Sequence, residues 1–95
     1  MRPLELTPEL RLAARCVWFE PAERAVANPA RLVAYVLTYG LPEDVAALRT
    51  QMPDDDLREA LDHAPPGIFD ARSWAYWNLV LGRTDPPPMP QRRLP

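Results

Sequence analysis

Asp70-Ala71-Arg72-Ser73-Trp74-Ala75-Tyr76-Trp77-Asn78-Leu79-Val80-Leu81-Gly82 reads as a helix and carries two of the chain's three tryptophans. Asp70 is an N-cap residue type, with a side-chain oxygen able to accept from a first-turn amide, and Gly82 suits the left-handed position just past a helix end. Trp74, Trp77 and Leu81 recur at the i, i+3, i+7 spacing of one helical face. The segment is therefore expected to close the fold, with its indoles packed onto the helix around Leu32 to Tyr39 and each indole N–H needing an acceptor. A proline-rich stretch with arginines follows at once, marking where the packed body should end.

Working outward, proline and glycine punctuate the rest of the chain in the same way. Thr7-Pro8-Glu9 combines a cap, a proline at the first helical position and an acidic first turn. The helix it opens should run from Pro8 to about Phe19, with Leu10, Ala13, Ala14, Val17 and Trp18 as one buried stripe. Glu20-Pro21 interrupts it, and Pro21 to Ala27 has room for a short helical turn. Asn28-Pro29 repeats the cap-plus-proline arrangement, and Gly40 closes a segment whose apolar residues, Leu32, Val33, Tyr35, Val36, Leu37 and Tyr39, wrap most of the way round. That helix should be central.

Leu41, Val45, Leu48 and Met52 form a narrower stripe on a helix starting near Pro42, where Glu43 and Asp44 read as a solvated, dipole-favoured start. After Pro53, the run Asp54-Asp55-Asp56 opens another helix, to His63, that buries Leu57, Ala60, Leu61 and Ala64. Ala64-Pro65-Pro66-Gly67 stops it, and Ile68 and Phe69 should anchor the loop into the Trp helix. No stretch alternates in the period of two that strands require. The expected fold is all-α: a compact orthogonal array of about five short helices over residues 1–82, then a disordered Pro/Arg-rich tail over residues 83–95.

Ninety-five residues fit one small domain, and 47% hydrophobic with 25% charged content is that of a globular chain. No window reaches the apolar length of a membrane span, and Met1-Arg2-Pro3-Leu4-Glu5 lacks the apolar core of a secretory signal, so a cytoplasmic location is expected. All eleven basic residues are arginine, a bias expected of a GC-rich, bacterial genome. Charge is uneven: residues 1–82 hold eight Arg against twelve acidic residues, whereas residues 83–95 hold three Arg against one Asp. An acidic body repels phosphate backbones, which argues against nucleic-acid binding by the folded part.

Reactive groups are sparse. Cys16 is the single cysteine and, between Ala14 and Val17, reads as a packed thiol rather than a reactive one. His63 is the single histidine and sits where a cation favours a helix C-terminus. Asp54, Asp55 and Asp56, with Glu59 and Asp62 after them, read as a solvated helix start; no glycine follows at EF-hand spacing. Ser73 is the single serine, in a helix's first turn, and none of the three glycines belongs to a phosphate-cradling loop. No enzyme, metal site or cofactor is expected. The helix pair Pro42–Gln51 and Asp54–His63 has helix-turn-helix dimensions, but its second helix carries five carboxylates against Arg58 alone.

What remains is surface. Tyr76 lies off the Trp stripe and, with Arg72, is the expected exposed contact on the body. In the tail, Pro87, Pro90 and Arg92 fit a Pro-x-x-Pro-x-Arg pattern, and Arg92 and Arg93 could pair with acidic groups, so the tail is either an inert extension or a partner-binding arm.

Val17-Trp18-Phe19-Glu20-Pro21, Tyr35-Val36-Leu37-Thr38-Tyr39-Gly40-Leu41-Pro42-Glu43-Asp44 and Arg72-Ser73-Trp74-Ala75-Tyr76-Trp77 together resemble a family of short, all-helical bacterial proteins. Members share an early aromatic pair, a Gly-x-x-Glu-Asp helix junction and a closing helix with an Arg-Ser-x-x-Phe/Tyr-Trp pattern; the Pro65-Pro66 loop and the long tail depart from it. Some members are encoded beside nucleotidyltransferase toxins of the abortive-infection type, which implies an antitoxin-like role. The expected function is thus non-enzymatic binding and occlusion of another protein, with a nucleotidyltransferase-type toxin as candidate, through Arg72, Tyr76, Arg92 and Arg93. No membrane partner is expected, and self-association stays open. The alternative is a DNA-binding regulator that places the tail arginines on phosphates.

Overall fold

The chain folds, in a computed structural model that describes residues 1–91, into helices alone; no strand occurs among the described residues. They are α1 (Pro8–Ala13), running into a 3-10 turn at Ala14–Cys16, α2 (Ala22–Ala25), α3 (Pro29–Tyr39), α4 (Pro42–Gln51), α5 (Asp54–Asp62) and α6 (Ala71–Val80). Among the described residues six short helices stand where about five were expected; the additional one is the four-residue turn α2. The starts follow from local chemistry. Thr7 Oγ1 accepts from the Leu10 amide at 3.2 Å, Asn28 Oδ1 from Arg31 at 3.5 Å and Asp70 Oδ1 from Ser73 at 2.7 Å, each satisfying an amide with no partner within the helix. Gly82, at φ +85°, supplies the left-handed turn after α6.

α3 is the hub. It touches α2, α4, α5, α6 and the 3-10 turn, while α1 lies along α4. Leu32, Val33, Ala34 and Val36 are completely buried in it, and Leu57, Ala60 and Leu61 of α5 close over them. The radius of gyration, 12.6 Å, is that of a globule of this length. Trp74, Trp77 and Leu81 all point inward. The Trp77 indole donates to the Leu37 carbonyl at 2.8 Å. That carbonyl lies in the last turn of α3, where no further helical amide reaches it, because the Leu41 N–H that would serve donates instead to Asp44 Oδ2.

Three expectations are corrected. The first helix ends early: Val17 bonds back to Ala14 in a tight turn and takes φ −99°, ψ 70°. Val17 stays fully buried, but the unwound backbone swings Trp18 out of the stripe to 83% exposure. Asp44, read as solvated, is buried, and Leu41 at the same junction is exposed. The disorder expected from residue 83 is also not what the first residues of the tail show. Arg83 binds both carboxylate oxygens of Asp62, at 2.7 and 2.9 Å, and the Arg58 carbonyl at 2.9 Å; the Pro87 carbonyl accepts from the Trp74 indole at 3.0 Å, and Met89 packs against the core. Deleting residues 83–95 should therefore destabilise the body by at least about 2 kcal/mol, from the lost Trp74–Pro87 hydrogen bond and the part-buried methionine alone, with the Arg83 contacts adding to it. A urea midpoint unchanged by the deletion would contradict this.

Candidate partner-binding face

Four aromatic rings run in sequence across one side of the molecule. Trp18 meets Phe19 edge-on at 5.6 Å, Phe19 meets Tyr35 at 5.6 Å, and Tyr35 lies 6.1 Å from Tyr39. Phe19 and Tyr39 are 48% and 65% exposed. The loop bearing the first two is fixed in place: the Arg31 guanidinium of α3 lies 5.7 Å from the Phe19 ring and pairs with the carboxylate of Glu20, adding cation–π and ionic contacts at one point. Trp18, Tyr35 and Tyr39, with Cys16, line a groove of about 400 Å³.

A second groove, also about 400 Å³, lies at the α3–α4 corner and includes Gly40. Its walls include Leu37, Pro42, Val45, Tyr76 and Trp77. Tyr76 stands edge-on to Trp77 at 5.1 Å and is 57% exposed. Of the residues singled out from sequence, Tyr76 thus sits in this groove. Arg72, one turn earlier on α6, is exposed and makes no ion pair among the described residues. Arg92 and Arg93 lie outside the described residues.

Trp18, Phe19, Tyr39 and Leu41 are exposed contacts that the sequence does not single out. One signal for the tyrosines was present: a helix apolar nearly all round needs more covering surface than a domain this small offers. Tyr35 and Tyr39, at i and i+4, occupy the flank left over.

Beneath the corner, Arg15 Nε donates to Asp44 Oδ1 at 2.7 Å and Leu41 N–H to Oδ2 at 2.9 Å. Burial raises the Asp44 carboxyl, but the Arg15 bond, the Leu41 amide and the Arg15 charge outweigh it, so the group titrates below the usual carboxylate range. Burial and the Asp44 charge push the Cys16 thiol up to about 11, which keeps it protonated and unreactive. His63 closes α5, with Nδ1 2.9 Å from the Glu59 carbonyl. Another groove, about 480 Å³, lies where Met1 to Leu4 cross Met52, Asp56 and Glu59; both carboxylates are exposed. Among the described residues, no three His, Cys, Asp or Glu side chains gather as metal ligands. Nor, among the described residues, is any helix long and apolar enough to cross a membrane.

Asp62, bonded by Arg83, and Asp70, bonded by the Ser73 amide, are likewise held below the ordinary carboxylate value. In each case the unfolded chain binds the proton more readily. The stabilisation is therefore complete above the unfolded value of about 4 and is lost as pH falls through the lower folded values. The urea midpoint should hold level from neutral pH to about pH 5 and then decline, less steeply in Asp44→Asn. A midpoint level down to pH 3 would contradict this assignment.

No protein-family model, curated protein or solved structure matches this chain.

Proposed function

We propose that this chain is a non-enzymatic partner-binding protein that occludes another protein, in the antitoxin-like role implied by its resemblance, with a nucleotidyltransferase-type toxin as the candidate partner. The observation that carries the reading is the row of rings ending in Trp18, which is 83% exposed yet fixed by the Arg31 contacts of its neighbours. Rigid exposed aromatics are the side chains that dominate protein interfaces, because they bury much area at little conformational entropy. Tyr76 and Arg72 extend the surface across the α3–α4 corner. The DNA-binding alternative has less support, since Arg83, one of the three tail arginines, is engaged with Asp62.

The test is capture from the native host by the full chain and by a Trp18→Ser/Tyr39→Ser variant. Both side chains are exposed, so the variant should melt as the parent does. It should retain the partner at least about 30-fold less well, the effect of losing one interfacial hot spot. Equal retention by both forms would refute the reading. Binding to DNA that collapses as salt rises would favour the alternative.

A further inference from the structure

Beyond Gly82 the chain leaves regular structure but keeps its contacts. Arg83 is the root, held by Asp62 and the Arg58 carbonyl, with its own amide bonded to the Asn78 carbonyl at 2.8 Å. Pro86, Pro87 and Pro88 then cross the surface exposed, and Met89 and Pro90 are half-buried. Between them sits one directed contact, the Trp74 indole N–H on the Pro87 carbonyl at 3.0 Å. The Trp74 ring is 6% exposed and packs edge-on against Phe69 at 5.3 Å.

These are the elements by which an aromatic surface reads a proline-rich strand. An indole donor takes a proline carbonyl, an apolar shelf receives a residue two positions on, and the prolines present no amide that docking would strand. The strand is extended before it binds, so ordering it removes little entropy. We propose that Trp74, together with the part of the core surface that takes Met89, is a binding site for a proline-rich strand, filled in a single copy by its own residues 86–90 and open to the same strand from a second copy of the chain. Two observations select that occupant. The seated strand is this chain's own sequence, so an exchange between copies past the Gly82–Arg83 corner repeats every contact. The body, with nine Arg against twelve acidic residues over residues 1–83, also attracts a strand with two Arg against one Asp over residues 84–95. The Pro87-x-x-Pro90 pattern is on this reading engaged at home, and competes there with outside readers of the same motif.

The full-length chain, with its indoles labelled by 15N, reports the site directly. Trp18 is exposed, Trp77 is bonded to Leu37 and Trp74 is bonded to Pro87, so each N–H gives a separate reading. The probe is a synthetic peptide of residues 84–95 carrying a nitroxide. Added to the wild-type chain, it should broaden the Trp74 indole saturably and more than that of Trp18. Met89→Asp in the full chain should release the resident strand, speed exchange of the Trp74 N–H while sparing Trp77, and raise peptide affinity by about tenfold, since self-occupancy no longer competes. Adding Trp74→Phe should reverse that gain. Strongest broadening at Trp18, or none at any indole of the wild-type chain, would overturn the proposal whether or not the variant folds. The aromatic face described above is untouched by either result.

Discussion

Trp77→Ala should leave the chain largely unfolded or melting on the order of 20 °C lower, the largest effect expected of any single substitution here. Trp77 is 8% exposed and packs where α6 meets α3, and its indole N–H is the donor for the Leu37 carbonyl. Removing the ring opens a cavity that short helices fixed by caps at both ends cannot close, which is worth about 3–5 kcal/mol. It also strands a buried carbonyl. A domain of this size holds only about 5–10 kcal/mol in total, so the loss is a large share of it. Trp77→Phe separates the two contributions: it keeps most of the ring and removes only the donor, and should lower stability by about 1–3 kcal/mol. Thermal melts followed by far-ultraviolet circular dichroism decide the matter. An alanine variant melting within a few degrees of the parent would show that α6 is not the closing element.

Gly40→Ala should be nearly as damaging, for a reason unrelated to conformational freedom. Gly40 has φ −70° and ψ 150°, open to any residue. A Cβ there would lie 2.5 Å from the Val36 carbonyl oxygen and 3.2 Å from Asp44 Cβ. The first contact is with the backbone of α3's own last turn, so relief requires the Gly40 backbone to shift away from that turn, towards Asp44 of α4. That shift would stretch the Gly40–Val36 hydrogen bond of 2.8 Å and, through the Asp44 contact, disturb the Arg15–Asp44–Leu41 cluster at the same corner. Overpacking of this kind is worth about 3 kcal/mol at its upper end. Gly40 also lines the groove that holds Tyr76, so partner retention should fall together with stability. Unchanged urea unfolding in Gly40→Ala would show that the corner can take up the extra methyl without loss.

Much of the fold was legible because its signals are local. Thr7-Pro8, Asn28-Pro29 and Asp70 act through side-chain atoms that reach amides three residues away, and the stripe of Leu57, Ala60 and Leu61 needs only the helical period. Tyr76 could be placed outside by the same count. Trp18 could not, because its exposure depends on a backbone break at Val17 that the stripe of Leu10, Ala13, Ala14 and Val17 gives no sign of.

From sequence alone follow the all-helical class, the inward face of the Trp helix and the shortage of reactive groups, all of them properties of composition and of residues within one or two turns of each other. Tertiary structure alone decided that Asp44 is buried beside an arginine 29 residues away, that the α3–α4 corner is lined with exposed rings, and that Trp74 holds a proline 13 residues further on. The physical reason is the same in each case: an acidic, aromatic or proline side chain has no intrinsic address, and its environment is set by which distant segment the closing of the core brings against it.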